Sequence, residues 1–165
     1  MKIILIKYGE LTTKKDNRKV FINILYNNIK KALINYKVNI IKTRDRMYIE
    51  TEENIDEVVD ILKNIFGIHS IVVATRVNTN TEEIEANVLE VAKNIEFNTF
   101  KVETTRSDKS FPIPSMDFSR GIGSLILRNI PNKKVDVHNP DYLLHIEIRK
   151  DYTYIYHKEI KASGG

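Results

Sequence analysis

The chain has 165 residues, of which 42% are hydrophobic and 29% are charged, a balance typical of a globular protein with one ordinary domain or two small modules. No apolar run approaches the roughly 20 residues needed to span a bilayer, and the N-terminal stretch lacks the cleavage site of a signal peptide. Cysteine is absent, which excludes disulfides, thiolate metal ligands and a cysteine nucleophile in this chain and favours a cytoplasmic location.

Charge is distributed unevenly along the chain. Residues 1–50 carry a net charge of +8, residues 51–100 carry −7 and residues 101–165 carry +3. A basic first and last third favours a polyanionic partner, because Lys and Arg gain free energy when they displace counterions condensed on phosphates.

The first 77 residues show the patterns of four strands and two helices. Apolar residues spaced four apart indicate the first helix, for which Asp16 or Asn17 is a suitable N-cap. Asn54 is expected to begin the second helix as the cap of a capping box. The apolar stripe of that helix runs to Phe66, and Gly67 is expected to end the helix. The predicted strands span 2–8, 37–43, 46–50 and 70–77, and the first helix spans 17–35. The order β-α-β-β-α-β predicts a ferredoxin-like domain over residues 1–77.

The pattern of residues 78–165 predicts a second module, of α/β type, which begins at a polar break at 78–81. Ser115 is expected to cap a helix that runs to about residue 129, because Pro131 prevents its continuation. Residues 158–162 lack the apolar pattern of a buried strand and are interpreted, with the final Ser-Gly-Gly, as a linker. The other predicted elements are a helix at 81–95 and strands at 99–105, 135–137, 142–149 and 152–158. The fold class is therefore α/β (α+β).

No catalytic constellation emerges from the side chains. The four histidines lie in separate segments without ligand spacing, so we predict no metal site. The carboxylates fall mainly on solvated helix faces, so no general-acid pair can be assigned. Gly121 and Gly123 lack the third glycine and the preceding strand of a dinucleotide fingerprint, and we expect them to allow close packing of their helix against the sheet.

Basic and hydroxyl-bearing side chains recur instead at the ends of the predicted elements. Arginine offers a planar fork to phosphate and can stack on unpaired bases, whereas lysine supplies a point charge. Arg120 also lies near the start of its helix, where the dipole favours anions. The set comprises Lys7, Tyr8, Lys14, Lys15, Arg18, Lys19, Arg44, Arg46, Lys101, Arg106, Lys109 and Arg120.

One stretch, KVETTRSDKSFPIPS at 101–115, carries three of these cations where a strand ends in a loop with two prolines. This arrangement of cations fits a solvated loop, and it also fits a phosphate-binding site. We favour the second interpretation, because prolines restrict backbone torsions and would hold Lys101, Arg106 and Lys109 in one geometry.

Several segments together resemble the N-terminal part of the tRNA 4-thiouridine synthetases, also called tRNA sulfurtransferases. The likeness covers residue 3 to the end, and its opening pattern KYGEL…NR is specific to that family. The stretch from about residue 80 resembles a THUMP domain, which several classes of tRNA-modifying enzyme share. The segments are IKYGELTTKKDNRKVF (6–21), RDRMYIE (44–50), FGIHSIV (66–72), FKVETTRSDKSFP (100–112) and VDVHNPDYLLHIEIRKDYTYIYHKEIKASGG (135–165).

The resemblance implies two domains, an N-terminal ferredoxin-like domain at 1–77 and a THUMP domain at 78–165. It implies tRNA as partner, with Lys101, Arg106, Lys109 and Arg120 at the 3′ acceptor end. Along the acceptor stem it implies Lys7, Lys14, Lys15, Arg18, Arg44 and Arg46. The family's reaction is ATP-dependent uridine adenylation and sulfur transfer from a donor protein, with a link to the thiazole of thiamine. This chain alone is expected to need no cofactor and catalyse nothing, since it lacks the SGGxDS adenylation loop and any cysteine.

Three alternatives stay open. The THUMP module could serve a methyltransferase or a deaminase, although the KYGEL start argues against this. A ferredoxin-like sensor of small molecules would be stabilised by a metabolite and not by tRNA. A dimerisation module would require an exposed apolar patch, which the sequence does not show; a homodimer remains compatible with the sequence.

Overall fold

The structure is a computed structural model that describes residues 1–9 and 15–162. The chain folds into two compact units. The first unit comprises the described residues of 2–74 and 158–165, and the second comprises residue 1 and residues 75–157. No helix in the described ranges is both long and apolar enough to cross a bilayer.

The first unit has the predicted β-α-β-β-α-β order. Its strands lie in the order β2-β3-β1-β4, and β3 is antiparallel to both β1 and β2. Apolar residues of both helices, such as Leu25 and Leu62, are buried against strand residues such as Ile4 and Ile49. The elements are β1 (Lys2–Tyr8), α1 (Lys15–Ala32), β2 (Val38–Lys42), β3 (Arg46–Thr51), α2 (Ile55–Leu62) and β4 (Ile68–Asn78).

The helix ends of the first unit differ in part from the prediction. Asp16 and Asn17 lie inside α1 rather than at its N-cap, because apolar spacing does not define a polar first turn. The Asn54 side chain does cap α2 and accepts a hydrogen bond from the Glu57 N–H at 3.2 Å. However, α2 ends at Leu62, so Phe66 lies in the following turn and is exposed. Gly67, with φ of 100°, forms the turn before β4 rather than the end of the helix.

The predicted linker at 158–162 contains a strand, β9 (Glu159–Lys161), which pairs antiparallel with β4 at Ser70–Val72. Three residues are too few to show an alternating pattern, so the sequence did not reveal it. The Glu159 Oε1 atom accepts hydrogen bonds from the Lys7 Nζ at 2.6 Å and from the Ser70 hydroxyl at 2.9 Å. The hydrogen bond from Lys7, followed by that from Ser70, lowers the pKa of Glu159. β9 is therefore attached to the first unit by side chains as well as by its backbone.

The second unit packs two helices on one sheet. Its strands lie in the order β8-β7-β5-β6, β5 is parallel to β6 and β7, and residues 75–78 of β4 pair with β8. The core includes Val88, Ile126 and Leu144. The elements are α3 (Thr81–Lys93), β5 (Thr99–Arg106), α4 (Ser115–Asn129), β6 (Lys134–Val135), β7 (Tyr142–Ile148) and β8 (Tyr152–Tyr156).

Three local predictions for these units need correction. Ser115 is the first residue of α4 rather than its cap; Pro114 occupies the cap position and makes no side-chain hydrogen bond. Val137 lies outside β6 and is exposed. Val20 and Ile24 are exposed four residues apart on α1, although we expected no exposed apolar patch.

We predict that Gly67→Ala destabilises the protein by about 1–3 kcal/mol, because alanine is strained at a φ of 100°. The added Cβ would also lie 3.1 Å from two atoms of the Phe21 ring. Urea denaturation followed by circular dichroism measures the change in the free energy of unfolding. Gly121→Ala is the control: its Cβ would meet nothing within 4 Å, so the variant should gain about 0.5–1 kcal/mol. Equal losses in both variants would contradict this account.

A second prediction concerns pH. A lowered carboxyl pKa contributes stability that is present above the unfolded pKa and is lost as pH falls through the folded pKa. Glu159→Gln should therefore be less stable than the parent near pH 7, and the difference should shrink toward about pH 3. Urea titrations at several pH values measure it, with the exposed Glu52→Gln as control. A difference that does not depend on pH would exclude the ion pair with Lys7 as its source.

Candidate nucleic-acid interface

A cleft of about 430 Å³ in the first unit lies between α1 and the turn that joins β2 to β3. Four cations from two separate segments surround it, and Ile22 supplies an apolar side chain. We call it the α1 cleft; it is lined by Arg18, Lys19, Ile22, Asn23, Lys42, Thr43 and Arg44. Two predicted RNA-binding residues, Arg18 and Arg44, are thus brought together.

Arg18 fixes the turn on which Arg44 lies. Its Nε and Nη2 atoms donate to the carbonyl oxygen of Arg44 at 3.0 and 2.9 Å, and its guanidinium lies 5.8 Å from the centre of the Tyr8 ring. The Tyr8 hydroxyl donates to the neighbouring carbonyl of Thr43 at 2.6 Å. Burial, assisted by the charge of Asp45, raises the pKa of Tyr8 to about 12. The phenol therefore keeps its proton at neutral pH and remains a donor to the turn.

The cations of the α1 cleft fall into two kinds. Lys42 is anchored, because its Nζ donates to Asn23 at 2.7 Å and lies 4.6 Å from the centre of the Tyr26 ring. Lys19 and the side chain of Arg44 are exposed, and neither forms an ion pair with any residue that the structure describes. Lys42 is held in place by its neighbours, whereas Lys19 and Arg44 remain available to an anion.

Among the other residues of the first unit that were predicted to contact RNA, Lys7 and Arg46 do not line the α1 cleft. Lys7 is paired with Glu159 at 2.6 Å. Arg46 is only 4% exposed and lies 4.9 Å from the centre of the Tyr48 ring, so a surface contact with RNA does not fit it. The reason is that the Thr43 N–H bonds to the Arg46 carbonyl and closes the turn before Arg46, which begins β3. Lys14 lies outside the described residues; Lys15 begins α1, and its side chain is not among those described.

In the second unit, Arg106 holds the loop that follows β5. We call residues 107–114 the proline loop. The Arg106 Nη1 atom donates to the carbonyl oxygens of Phe111 at 2.7 Å and Ile113 at 3.4 Å. Phe111 is buried and meets Phe118 of α4 edge to face at 5.5 Å between ring centres. Arg106 is thus a positioning residue whose charge is retained, because carbonyl groups carry no net charge.

Lys109 lies on the proline loop and is exposed. The adjacent Asp108 accepts hydrogen bonds from the Ser110 hydroxyl at 2.6 Å and the Ser110 N–H at 3.0 Å. These two bonds lower the pKa of Asp108. Because Asp108 is occupied by Ser110, Lys109 has no ion-pair partner in the part of the chain that the structure describes.

A second cleft, of about 350 Å³, lies between α4, β5 and residues 135–137. We call it the α4 cleft; its lining includes Phe100, Lys101, Val102, Arg120 and Gly123. Lys101 pairs with Glu103 at 3.1 Å and Arg120 with Asp117 at 3.7 Å. The Arg120 and Asp117 side chains are 75% and 60% exposed. Exposed pairs of this kind contribute little stability, so both cations can turn toward a bound phosphate.

The glycines of α4 do not serve the close packing that we expected. An added Cβ would find no atom within 4 Å at either Gly121 or Gly123, so neither residue brings the helix nearer to the sheet. Each costs the helix roughly 0.5–1 kcal/mol relative to alanine. Gly123 lines the α4 cleft, where the missing side chain leaves open space.

The sequence prediction missed Lys42 and Gly123 as lining residues. The position of Lys42 at the end of β2, two residues before Arg44, was the signal that could have revealed it. No comparable signal marked Gly123, since a helical glycine does not show in the sequence which way it faces. Among the described residues, no group of three or more His, Asp or Glu side chains could hold a metal ion.

Comparisons with known proteins identify the two parts of the chain. Residues 3–72 match the ThiI ferredoxin-like domain family, and residues 78–158 match the THUMP domain family. A probable tRNA sulfurtransferase of Thermoanaerobacter pseudethanolicus is 49% identical over 99% of this chain. One of Staphylococcus epidermidis is 42% identical over 98% of it. The chain spans 43% and 41% of the length of these relatives.

Comparison with solved structures gives the same result as the comparison of sequences. A crystal structure of a 4-thiouridine synthetase–RNA complex with bound ATP superposes with a TM-score of 0.86 at 30% identity, over all of this chain and 43% of that chain. The crystal structure of PH1313 from Pyrococcus horikoshii gives a TM-score of 0.84 at 32% identity, over all of this chain and 56% of that one. TrmN from Thermus thermophilus, at 14% identity and a TM-score of 0.62, shares the fold. The chain therefore belongs to the tRNA sulfurtransferase family and contains that family's ferredoxin-like and THUMP domains.

Proposed function

We propose that this chain docks tRNA for an ATP-dependent tRNA sulfurtransferase that makes 4-thiouridine. The observation that carries the proposal is the clamping of one loop in each unit by an arginine, which leaves Arg44 and Lys109 exposed and without ion pairs among the described residues. The relatives named tRNA sulfurtransferase and the RNA complex of a 4-thiouridine synthetase support tRNA as the ligand.

The two clefts differ in chemistry and suit different parts of a tRNA. The α1 cleft has four cations beside a single apolar residue, Ile22, among its described lining, which suits the phosphates of the acceptor stem. Double-stranded RNA is recognised mainly through its shape and backbone. The proline loop and the α4 cleft combine cations with several apolar side chains, which suits the unpaired 3′ end, where bases as well as phosphates are accessible.

The reaction itself is assigned to the rest of the protein. Adenylation and sulfur transfer would require ATP and a sulfur donor protein, and this chain has no cysteine to carry sulfur. A homodimer, a cytoplasmic location and a link to the thiazole of thiamine are predictions that stand beside this proposal. Domain boundaries at 1–77 and 78–165 are proposed with it.

Removing an exposed cation should weaken tRNA binding and should also make that binding less dependent on salt concentration. Arg44→Ala and Arg120→Ala should each lower the affinity several-fold and reduce the slope of log K against log salt by about 1, because each releases fewer counterions. Filter binding of tRNA at several salt concentrations measures both quantities. Lys93→Ala, at an exposed lysine outside both clefts, is the matched control. If all three variants bind as the parent does, the cleft cations are not the docking surface.

Substitutions of Arg106 and of Lys109 should have different effects on the protein. Arg106→Ala should lower tRNA affinity about tenfold or more and also speed amide exchange in the proline loop, because two carbonyl oxygens lose their donor. Lys109→Ala should lower the affinity and leave amide exchange unchanged. Hydrogen exchange without RNA, combined with tRNA titration, separates the two roles. An Arg106→Ala protein that binds tRNA as tightly as the parent would overturn the proposed role of the loop.

A further inference from the structure

One edge of the sheet in the first unit is open. β2 is the last strand on its side and pairs only with β3 in the part of the chain that the structure describes. Its register continues to Thr43 and Arg46, where the Thr43 N–H donates to the Arg46 carbonyl at 3.0 Å. Hydrogen-bonded and non-bonded pairs alternate along an antiparallel ladder. The main-chain N–H and C=O groups of Val38, Ile40 and Lys42 are therefore directed away from β3.

The residue before β2 supports this assignment. Lys37 uses its main chain on the β3 side, because its N–H donates to the Glu53 carboxylate at 2.9 Å and its carbonyl accepts from the Thr51 hydroxyl at 2.8 Å. Odd-numbered residues thus direct their main-chain groups toward β3, and even-numbered residues present theirs at the open edge. These outward groups form a template to which another strand can add.

A groove of about 240 Å³ lies between this edge and the C-terminal half of α1. Its side chains are mainly apolar: Ile34 is 73% exposed, and two tyrosines and two strand residues are partly buried. Because side chains alternate along a strand, a strand added to β2 would place every second side chain in this groove. We call it the β2 groove; its lining includes Tyr26, Lys30, Ile34, Tyr36, Val38 and Ile40.

Cations around the groove indicate the charge of its partner. Lys30 lines it, and Lys37 and Lys42 lie at the two ends of β2. None of the three forms an ion pair with a residue that the structure describes; Lys42 donates instead to the neutral side chain of Asn23 at 2.7 Å. A second copy of the chain would bring the same lysines face to face, which is repulsive. An acidic strand complements them.

The open edge does not match the chemistry of RNA. Phosphate oxygens only accept hydrogen bonds, whereas the edge presents carbonyl acceptors as well as N–H donors, at Val38 and Ile40 for example. An extended peptide supplies both kinds of group in the alternation that a ladder requires. Its side chains also cover the apolar surface of Ile34, which a phosphate backbone would leave in water.

We propose that the β2 groove binds an extended, acidic peptide segment of a partner protein, which adds to β2 as a further strand. Apolar side chains of the segment lie in the groove, and its carboxylates face the surrounding lysines. The inference goes beyond the proposed function, because it concerns a protein partner on a surface other than the two clefts assigned to RNA.

The test uses the full chain and a blocked synthetic peptide of alternating glutamate and valine. Amide exchange resolved by residue with NMR should slow at Val38, Ile40 and Lys42 when the peptide is added, because their N–H groups gain acceptors. Asn39 and Ile41 should change little, since their N–H groups already face β3. The matched peptide of alternating lysine and valine should bind at least about tenfold more weakly, because it places like charges together.

Two substitutions separate the backbone from the groove. Ile40→Pro removes one outward N–H and keeps the β2–β3 ladder, because an edge strand accepts proline where its N–H faces solvent; the peptide affinity should fall about tenfold. Ile34→Asp should lower it by a similar factor without any change at the edge, in case proline disturbs folding. Ile24→Asp is the matched control, at an exposed isoleucine of α1 outside the groove. Thermal melts confirm that each variant is folded.

Three results would overturn the inference. The first is a parent that does not bind the acidic peptide, in which case the lysines only keep other strands away from the edge. The second is binding that leaves amide exchange at Val38 and Ile40 unchanged, or that Ile34→Asp does not weaken. The third is protection of these two amides by tRNA and not by the peptide, which would assign the edge to the RNA surface. The proposed function stands in all three cases.

Discussion

Arg18 and Arg106 perform the same physical task in the two units. Arg18 donates twice to the single carbonyl oxygen of Arg44, at 3.0 and 2.9 Å, and Arg106 donates to the carbonyl oxygens of Phe111 and Ile113, at 2.7 Å in the shorter bond. A charged donor makes such a bond strong. Because a carbonyl carries no net charge, the arginine keeps its positive charge, which a carboxylate partner would have neutralised. Each loop is therefore fixed and remains electropositive, and Arg44 or Lys109 is presented on it.

This arrangement limits the entropy that binding has to overcome. An exposed lysine or arginine on a mobile loop loses backbone as well as side-chain freedom when it meets a phosphate. Here the loop torsions are already restricted by the guanidinium, by Tyr8 on Thr43 in the first unit, and by Phe111 against Phe118 in the second. Only side-chain freedom is left to lose.

Much of the fold followed from apolar periodicity, and much of the site did not. The β-α-β-β-α-β order is confirmed, because burial repeats over enough residues to be visible. β9 was missed because three residues show no period. Arg46 was expected to contact RNA as one of the cations at element ends, yet β3 begins with it and buries it. Cations appear in a sequence by identity, but their hydrogen-bond partners, such as the carbonyls that Arg106 reaches, come from tertiary structure.

The central claim is that RNA lies on the loops that these arginines clamp. Hydrogen exchange of the whole chain, measured with and without saturating tRNA, tests it most directly. The account predicts slower exchange at residues 42–46 and 107–114, with no change along α2 and its acidic first turn. If tRNA binds and protection appears on α2 while both loops exchange as before, the account is contradicted.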